Sequence, residues 1–260
     1  MSRGLGDVYK RQIQDGNIKP LIIVLPTYNN TSENDSSDYS LAIQLTNQFH
    51  NELVNDLIPA VESKYSTYAK DTTPQGLKES RDHRGFGGFS MGSVNTWNTF
   101  RYCLDYFRYF MPMSGSYTTD GEYMADLVRQ QGYSSQDFFI FAASGTDDFA
   151  YSAFKAQIMA MANNSGGMFK LAKNESEGNM SFLEREGYKH DAKATDEYTY
   201  NGLRFFWNGQ TDTQSADNQS SSSKAYNVEQ GTSKYRDFVL DNVLHSETEG
   251  DICLLYTSDA

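Results

Sequence analysis

The chain has 260 residues, enough for one α/β domain with a sizeable core. Its net charge of −12 supplies no basic stripe to neutralise phosphates, which argues against nucleic acid and against an anionic membrane surface. No apolar run approaches the ~18 residues that a membrane span needs, and two cysteines, Cys103 and Cys253, do not make a disulfide framework.

The two ends read as foreign. Residues 1–12 and 253–260 resemble translated sequencing-adapter sequence, and such scars are set apart from fold reasoning. On this expectation Cys103 is the one native cysteine and the hydrolase domain, 13–208, is cut at its N-terminus.

In chain order, a turn at Asp15-Gly16-Asn17 leads into the apolar run Leu21 to Leu25, bounded by Pro20 and Pro26. This reads as a buried parallel strand. A polar loop follows from Asn29 to Ser37. Leu41, Leu45, Phe49, Leu53, Leu57 and Val61 then recur every four residues, which predicts one helix face with a kink at Pro59. A loop over 68–81 precedes a strand over 83–89. Helix starts again with Val94, Trp97 and Phe100. Further strands are expected over 107–113, 138–143 and 180–186, with helices over 124–131, 150–162 and 197–207. Strands alternating with helices predict a parallel sheet covered on both faces.

Beyond Asn208 the chain changes character. Residues 209–232 read as a low-complexity linker, and 233–252 as the start of an unidentified module. Residues 209–260 carry nine acidic and three basic residues, so they hold half of the net charge.

The chemistry gathers at Gly88-Phe89-Ser90-Met91-Gly92. A G-x-S-x-G pentapeptide between a strand and a helix describes a nucleophile elbow, in which the serine hydroxyl stands exposed on a strained turn. An acid is then expected after the strand two on from the elbow, and a histidine after the final strand. Asp147 and Asp148 follow the strand over 138–143, with Asp148 the preferred acid. Of the four histidines, His50 and His83 precede Ser90 and His245 lies beyond the linker. His190 alone has the required order. A serine hydroxyl is a weak nucleophile near neutral pH, so His190 is assigned as its base and Asp148 as the carboxylate that fixes the imidazole tautomer. The backbone N–H of Met91 is the expected oxyanion donor.

Around the elbow, Asp56 to Tyr65, Thr73 to Gly76, His83 to Gly92 and Phe110 to Gly115 carry a resemblance that is more specific than the pentapeptide. Residues 20–207 resemble the esterase domain of feruloyl esterases in carbohydrate esterase family 1, including esterase modules of multidomain bacterial xylanases. The resemblance implies an α/β-hydrolase fold, hydrolysis of hydroxycinnamoyl esters on arabinoxylan, secretion, no cofactor or metal, and linkage to further modules. It maps the nucleophile to Ser90, the acid to Asp148 and the base to His190.

Two departures qualify what the resemblance implies. Some relatives carry a Tyr-Trp pair after the Ser-Gly that follows the next strand, whereas here Tyr117 precedes Thr118, which widens the acyl choice to acetyl and other acyl sugars. Tyr28, Tyr117 and Tyr151 follow strand ends and are candidate pocket-lining residues. The Leu21 strand takes the fourth position of a hydrolase sheet, so the third strand, whose following loop gives a second oxyanion N–H, is expected to be missing and five strands to remain. A mycolyltransferase-type acyltransferase and a non-catalytic carbohydrate-binding module are the alternative readings.

Overall fold

A computed structural model describes residues 21–28, 32, 37–207 and the backbone of 251–257. The strands are Leu21–Val24 (β1), Arg84–Phe89 (β2), Tyr109–Met113 (β3), Phe139–Gly145 (β4), Met180–Arg185 (β5) and Asp251–Thr257 (β6). The helices are Tyr39–Glu52 (α1), Ile58–Lys64 (α2), Pro74–Glu79 (α3), Met91–Tyr102 (α4), Gly121–Gln130 (α5), Tyr151–Asn163 (α6) and Ala192–Leu203 (α7). Every paired strand is parallel to its neighbour, in the order β1-β6-β2-β3-β4-β5.

A sheet buried on both faces needs apolar residues at successive positions. Strands β3 and β4 are buried throughout. Their side chains alternate between two cores. Phe110, Ile140 and Ala142 pack under α1, α4, α5 and α6, with Phe49, Trp97, Phe100, Met124 and Ile158. Tyr109, Met111, Met113, Phe139, Phe141 and Ala143 face the other way, onto Ala194, Tyr198 and Leu203 of α7. Phe100 is fully buried, edge-on to both Phe110 and Phe138. Burial of such a ring contributes about 1.5–3 kcal/mol. Pro112 has no N–H to donate, and the β3–β4 pairing skips it before resuming at Met113.

The long amphipathic segment is helical from Tyr39 to Lys64, but its break differs from a simple proline kink. Pro59 cannot donate back to Asn55, and Leu53–Leu57 widens into a π turn in which Ile58 N–H donates to the Leu53 carbonyl. The loop expected over 68–81 contains α3. Thr73 caps it, its hydroxyl accepting from Gly76 N–H at 3.2 Å, and Pro74 occupies the first turn, where no N–H is needed.

Arg84 anchors the start of the elbow strand. Its guanidinium is paired with Glu62 of α2, both side chains being 1% exposed, and it donates to the Leu77 and Tyr106 carbonyls. Thr67 donates a further hydrogen bond to Glu62 at 2.7 Å. This buried, saturated pair ties α2 and α3 to β2.

The sheet departs from the sequence expectation at its sixth strand. Asp251–Thr257, which the sequence reading divided between 233–252, the start of an unidentified module, and the foreign tail 253–260, lies between β1 and β2. It runs in register from Leu21↔Asp251 to Val24↔Leu254 on one side and from Arg84↔Ile252 to Phe89↔Thr257 on the other. Among the described residues six strands are therefore present where five were expected, and neither β1 nor the elbow strand faces an unpaired edge at that position. The linker over 209–232, the rest of the 233–252 segment and residues 1–12 lie outside the described residues.

Candidate active site

Strand β2 delivers the nucleophile candidate. Ser90 has φ 59° and ψ −116°, a sparsely populated conformation for a residue with a Cβ, and α4 begins at the next residue. The strand and helix almost touch. A Cβ on Gly88 would lie 2.4 Å from the Gly92 carbonyl oxygen, so the first glycine of the pentapeptide is required by close approach. Ser90 N–H donates to the Met113 carbonyl at 2.9 Å, and its own carbonyl accepts from Ser93 N–H at 2.9 Å. Met91 N–H stands at the first helical position, where a helix supplies no acceptor and its dipole favours negative charge.

Strand β4 delivers the acid. Asp148 is 5% exposed, whereas its neighbour Asp147 is exposed, which settles the choice between them as partner of the histidine. Both carboxylate oxygens of Asp148 lie 2.9 Å from His190 Nδ1, and Oδ1 accepts from Ala150 N–H at 2.8 Å. Burial works against its charge. The hydrogen bonds from His190, Ala150 N–H and the Ser114 hydroxyl outweigh burial and hold the carboxyl below its ordinary value.

The loop after β5 delivers His190. It is sewn to the acid loop: Asp147 N–H donates to the Tyr188 carbonyl at 3.1 Å and Thr146 N–H to the Arg185 carbonyl at 2.9 Å. A Cβ on Gly145 would sit 2.1 Å from the Tyr188 carbonyl oxygen, so the close seam depends on that glycine. The imidazole packs against two tilted phenyl rings, Phe89 at 4.4 Å and Phe149 at 4.3 Å between centroids. With Nδ1–H directed at Asp148, Nε2 carries a lone pair, and this atom is buried without a hydrogen-bond partner. Phe89 is the residue immediately before Ser90. The arrangement therefore presents an oriented imidazole packed against the residue that precedes a strained serine at a helix N-terminus, the set of groups that acyl transfer uses, with no hydrogen bond between Nε2 and the Ser90 hydroxyl.

The three tyrosines are placed differently. Tyr117 follows the Ser114-Gly115 turn, whose Gly115 carbonyl accepts from Ser93 Oγ at 2.7 Å and Trp97 Nε1 at 3.0 Å. Its hydroxyl accepts from Arg101 at 2.8 Å, and its ring lies 6.5 Å from that of Tyr123. Tyr151 opens α6 three residues after Asp148, with its hydroxyl bonded to Glu184 and Lys155. Tyr28 is 2% exposed and belongs to the core beneath α1, where it lines a cavity of about 210 Å³ with Leu45 and Phe49. His50 and His83 stack on Tyr102 and Tyr68.

Sequence reasoning missed other residues that shape the site. Ser114 has φ 51° and is buried, with its hydroxyl 3.1 Å from Ser144 Oγ and contributing to the lowered carboxyl of Asp148. Buried Gln157 of α6 accepts from the N–H groups of Tyr117 and Thr118 and so holds that loop. Phe149, 82% exposed, packs against the imidazole. Only the strained position of Ser114, directly after a strand and before a glycine, left any trace in the sequence.

Comparison with known proteins agrees with the geometry. No protein-family model matches the chain. It is 39% identical over 212 residues to endo-1,4-beta-xylanase Y of Acetivibrio thermocellus, a match over 78% of the chain and 18% of that protein. The chain thus spans less than a fifth of its curated relative. It superposes with a TM-score of 0.69 on a serine-to-alanine mutant of the feruloyl esterase module from Clostridium thermocellum complexed with sinapinate, at 37% identity over 78% of this chain and 70% of that one. The enterobactin esterase of Shigella flexneri, at 16% identity and a TM-score of 0.51 over 76% of this chain and 47% of that one, shares the fold alone. A serine elbow, an oriented histidine and a level of identity carried across most of a solved module agree, and the chain belongs to the feruloyl esterases of carbohydrate esterase family 1, carboxylic ester hydrolases with the α/β-hydrolase fold.

Proposed function

We propose that this chain is a serine esterase that hydrolyses feruloyl or acetyl esters on plant cell-wall polysaccharide such as arabinoxylan. The observation that carries the reading is the Asp148–His190 hydrogen bond, which leaves Nε2 as a free acceptor on an imidazole packed against Phe89, the residue before Ser90. Ser90 Oγ attacks the ester carbonyl as its proton passes to His190 Nε2. The tetrahedral oxyanion is held by Met91 N–H. Collapse expels the sugar alkoxide, which takes the proton from His190, and leaves an acyl-enzyme on Ser90. Water, deprotonated by the same imidazole, then attacks the acyl carbonyl and releases the acid and the serine.

Feruloyl is the first choice of acyl group, supported by the family. Thr118 after Tyr117, in place of a second aromatic residue, keeps acetyl in the range. The match to part of a xylanase supports a chain that works beside further modules, secreted with them onto cell-wall substrate. Among the described residues no helix is long and apolar enough to cross a membrane.

Hydrolysis of methyl ferulate and p-nitrophenyl acetate by the chain and its Ser90→Ala variant tests the reading. Activity on at least one ester, lost in the variant, supports it. Turnover that survives Ser90→Ala rejects it, and turnover of acetate alone removes the feruloyl assignment.

A further inference from the structure

Phe149 is the outlier among the aromatic residues around the site. It is 82% exposed, yet its ring centroid lies 4.3 Å from that of His190. A side chain this open gains little from burial, so the hydrophobic core does not explain its presence. The second aromatic neighbour of the imidazole, Phe89, is buried and belongs to the nucleophile's own strand. The histidine therefore has one buried and one solvent-exposed aromatic neighbour, and Phe149 marks its solvent side.

The chemistry says what passes on that side. His190 Nε2 must return its proton to the departing oxygen, so the leaving group stands against the histidine, whereas the acyl carbonyl stays at Ser90 and Met91 N–H. For an esterified polysaccharide the leaving group is a sugar. Sugars present faces of C–H bonds, and an open aromatic ring offers a flat apolar surface that matches them. Phe149 immediately follows the acid, and its backbone is fixed by the Asp148–Ala150 hydrogen bond of 2.8 Å, so the platform and the proton donor are held in one frame.

We infer that Phe149 is a specificity residue that stacks against the sugar of the leaving alcohol, and that it selects sugar esters over simple alkyl esters of the same acid. The inference rests on the esterase reading above. It assigns Phe149 to the alcohol side of the ester, separate from the acyl pocket.

The test compares kcat/KM for a feruloylated arabinose oligosaccharide with that for methyl ferulate, in the parent chain and in Phe149→Ala and Phe149→Trp. The expected result is that the sugar-to-methyl ratio falls about tenfold in Phe149→Ala, the size of one lost apolar contact in a site, and is restored in Phe149→Trp. The loss should fall mainly on KM for the sugar ester. A purely structural role in steadying His190 would lower both substrates together and shift the pH profile of kcat, and that result overturns the inference, as does an unchanged ratio. If the parent chain hydrolyses neither ester, the esterase reading itself fails, an outcome distinct from equal losses in an active enzyme.

Discussion

Asp148 and His190 meet across the ends of two adjacent parallel strands, with Nδ1 equidistant, at 2.9 Å, from both carboxylate oxygens. The two residues are 42 positions apart, and the seam between Gly145 and the Tyr188 carbonyl brings them together. A carboxylate placed in this way fixes the imidazole tautomer and stabilises the imidazolium formed during attack.

Replacing Asp148 by Asn keeps the shape and reverses the hydrogen-bond polarity, so kcat is expected to fall by about 10⁴ with a small change in KM. Steady-state kinetics on methyl ferulate check this. Asp147→Asn, altering an exposed side chain one residue away, is expected to change kcat by less than about twofold.

The same carboxyl predicts a pH dependence of stability. Because its folded value lies below the ordinary one, the unfolded chain takes up this proton first as pH falls. Its contribution is therefore present in full above the unfolded value of about 3.9 and fades as pH drops towards the folded value. Urea unfolding should show the stability gap between the parent chain and Asp148→Asn widest near neutrality and narrowing below about pH 4. A gap that grows on acidification contradicts the assignment.

Ser90 holds its hydroxyl in place by means of a strained backbone. At φ 59° and ψ −116° a glycine is relaxed where serine is not. Ser90→Gly is expected to raise the unfolding free energy by about 1 kcal/mol while esterase activity disappears. Equal or lower stability in calorimetry indicates that the turn carries no such strain.

The Glu62–Arg84 pair predicts the opposite balance. Removing one partner leaves the other charged and buried, so Glu62→Ala is expected to destabilise by about 3–5 kcal/mol. Denaturant melts measure the loss.

Strand β6 supplies the pairing partner for both β1 and β2. Ending the chain at residue 250 unpairs both strands and opens a sheet edge. The shortened chain is expected to melt at lower temperature and to self-associate, as read by thermal scanning and light scattering. An unchanged melting temperature contradicts the six-strand sheet.

Much of this was legible in the sequence because the elements are strongly patterned. Strand β4 opens on the apolar run Phe139 to Ala143 and the acid loop follows directly, so order alone narrowed the acid to Asp147 or Asp148. The expected strand boundaries at 138–143 and 180–186 differ from those observed by one or two residues. Helix α3 was hidden by its shortness, although Thr73-Pro74 is a cap followed by a first-turn proline. Strand β6 was illegible for a different reason. Its residues were divided between the 233–252 segment and a tail set apart from fold reasoning, and its pairing with residues some 170 to 230 positions earlier is set by backbone register, which a one-dimensional pattern does not encode. Phe149 and Ser114 were missed likewise, since their partners His190 and Asp148 are distant in sequence and the contacts exist only after the strand ends align.

The central claim is that the acyl group passes through Ser90. Acid-quenching the chain during turnover of methyl ferulate, followed by proteolysis and mass spectrometry, tests it most directly. The account predicts a feruloyl adduct on the peptide containing Ser90, absent from Ser90→Ala and enriched in variants slowed at deacylation. Hydrolysis that proceeds in Ser90→Ala, or an adduct that maps to another residue, contradicts it.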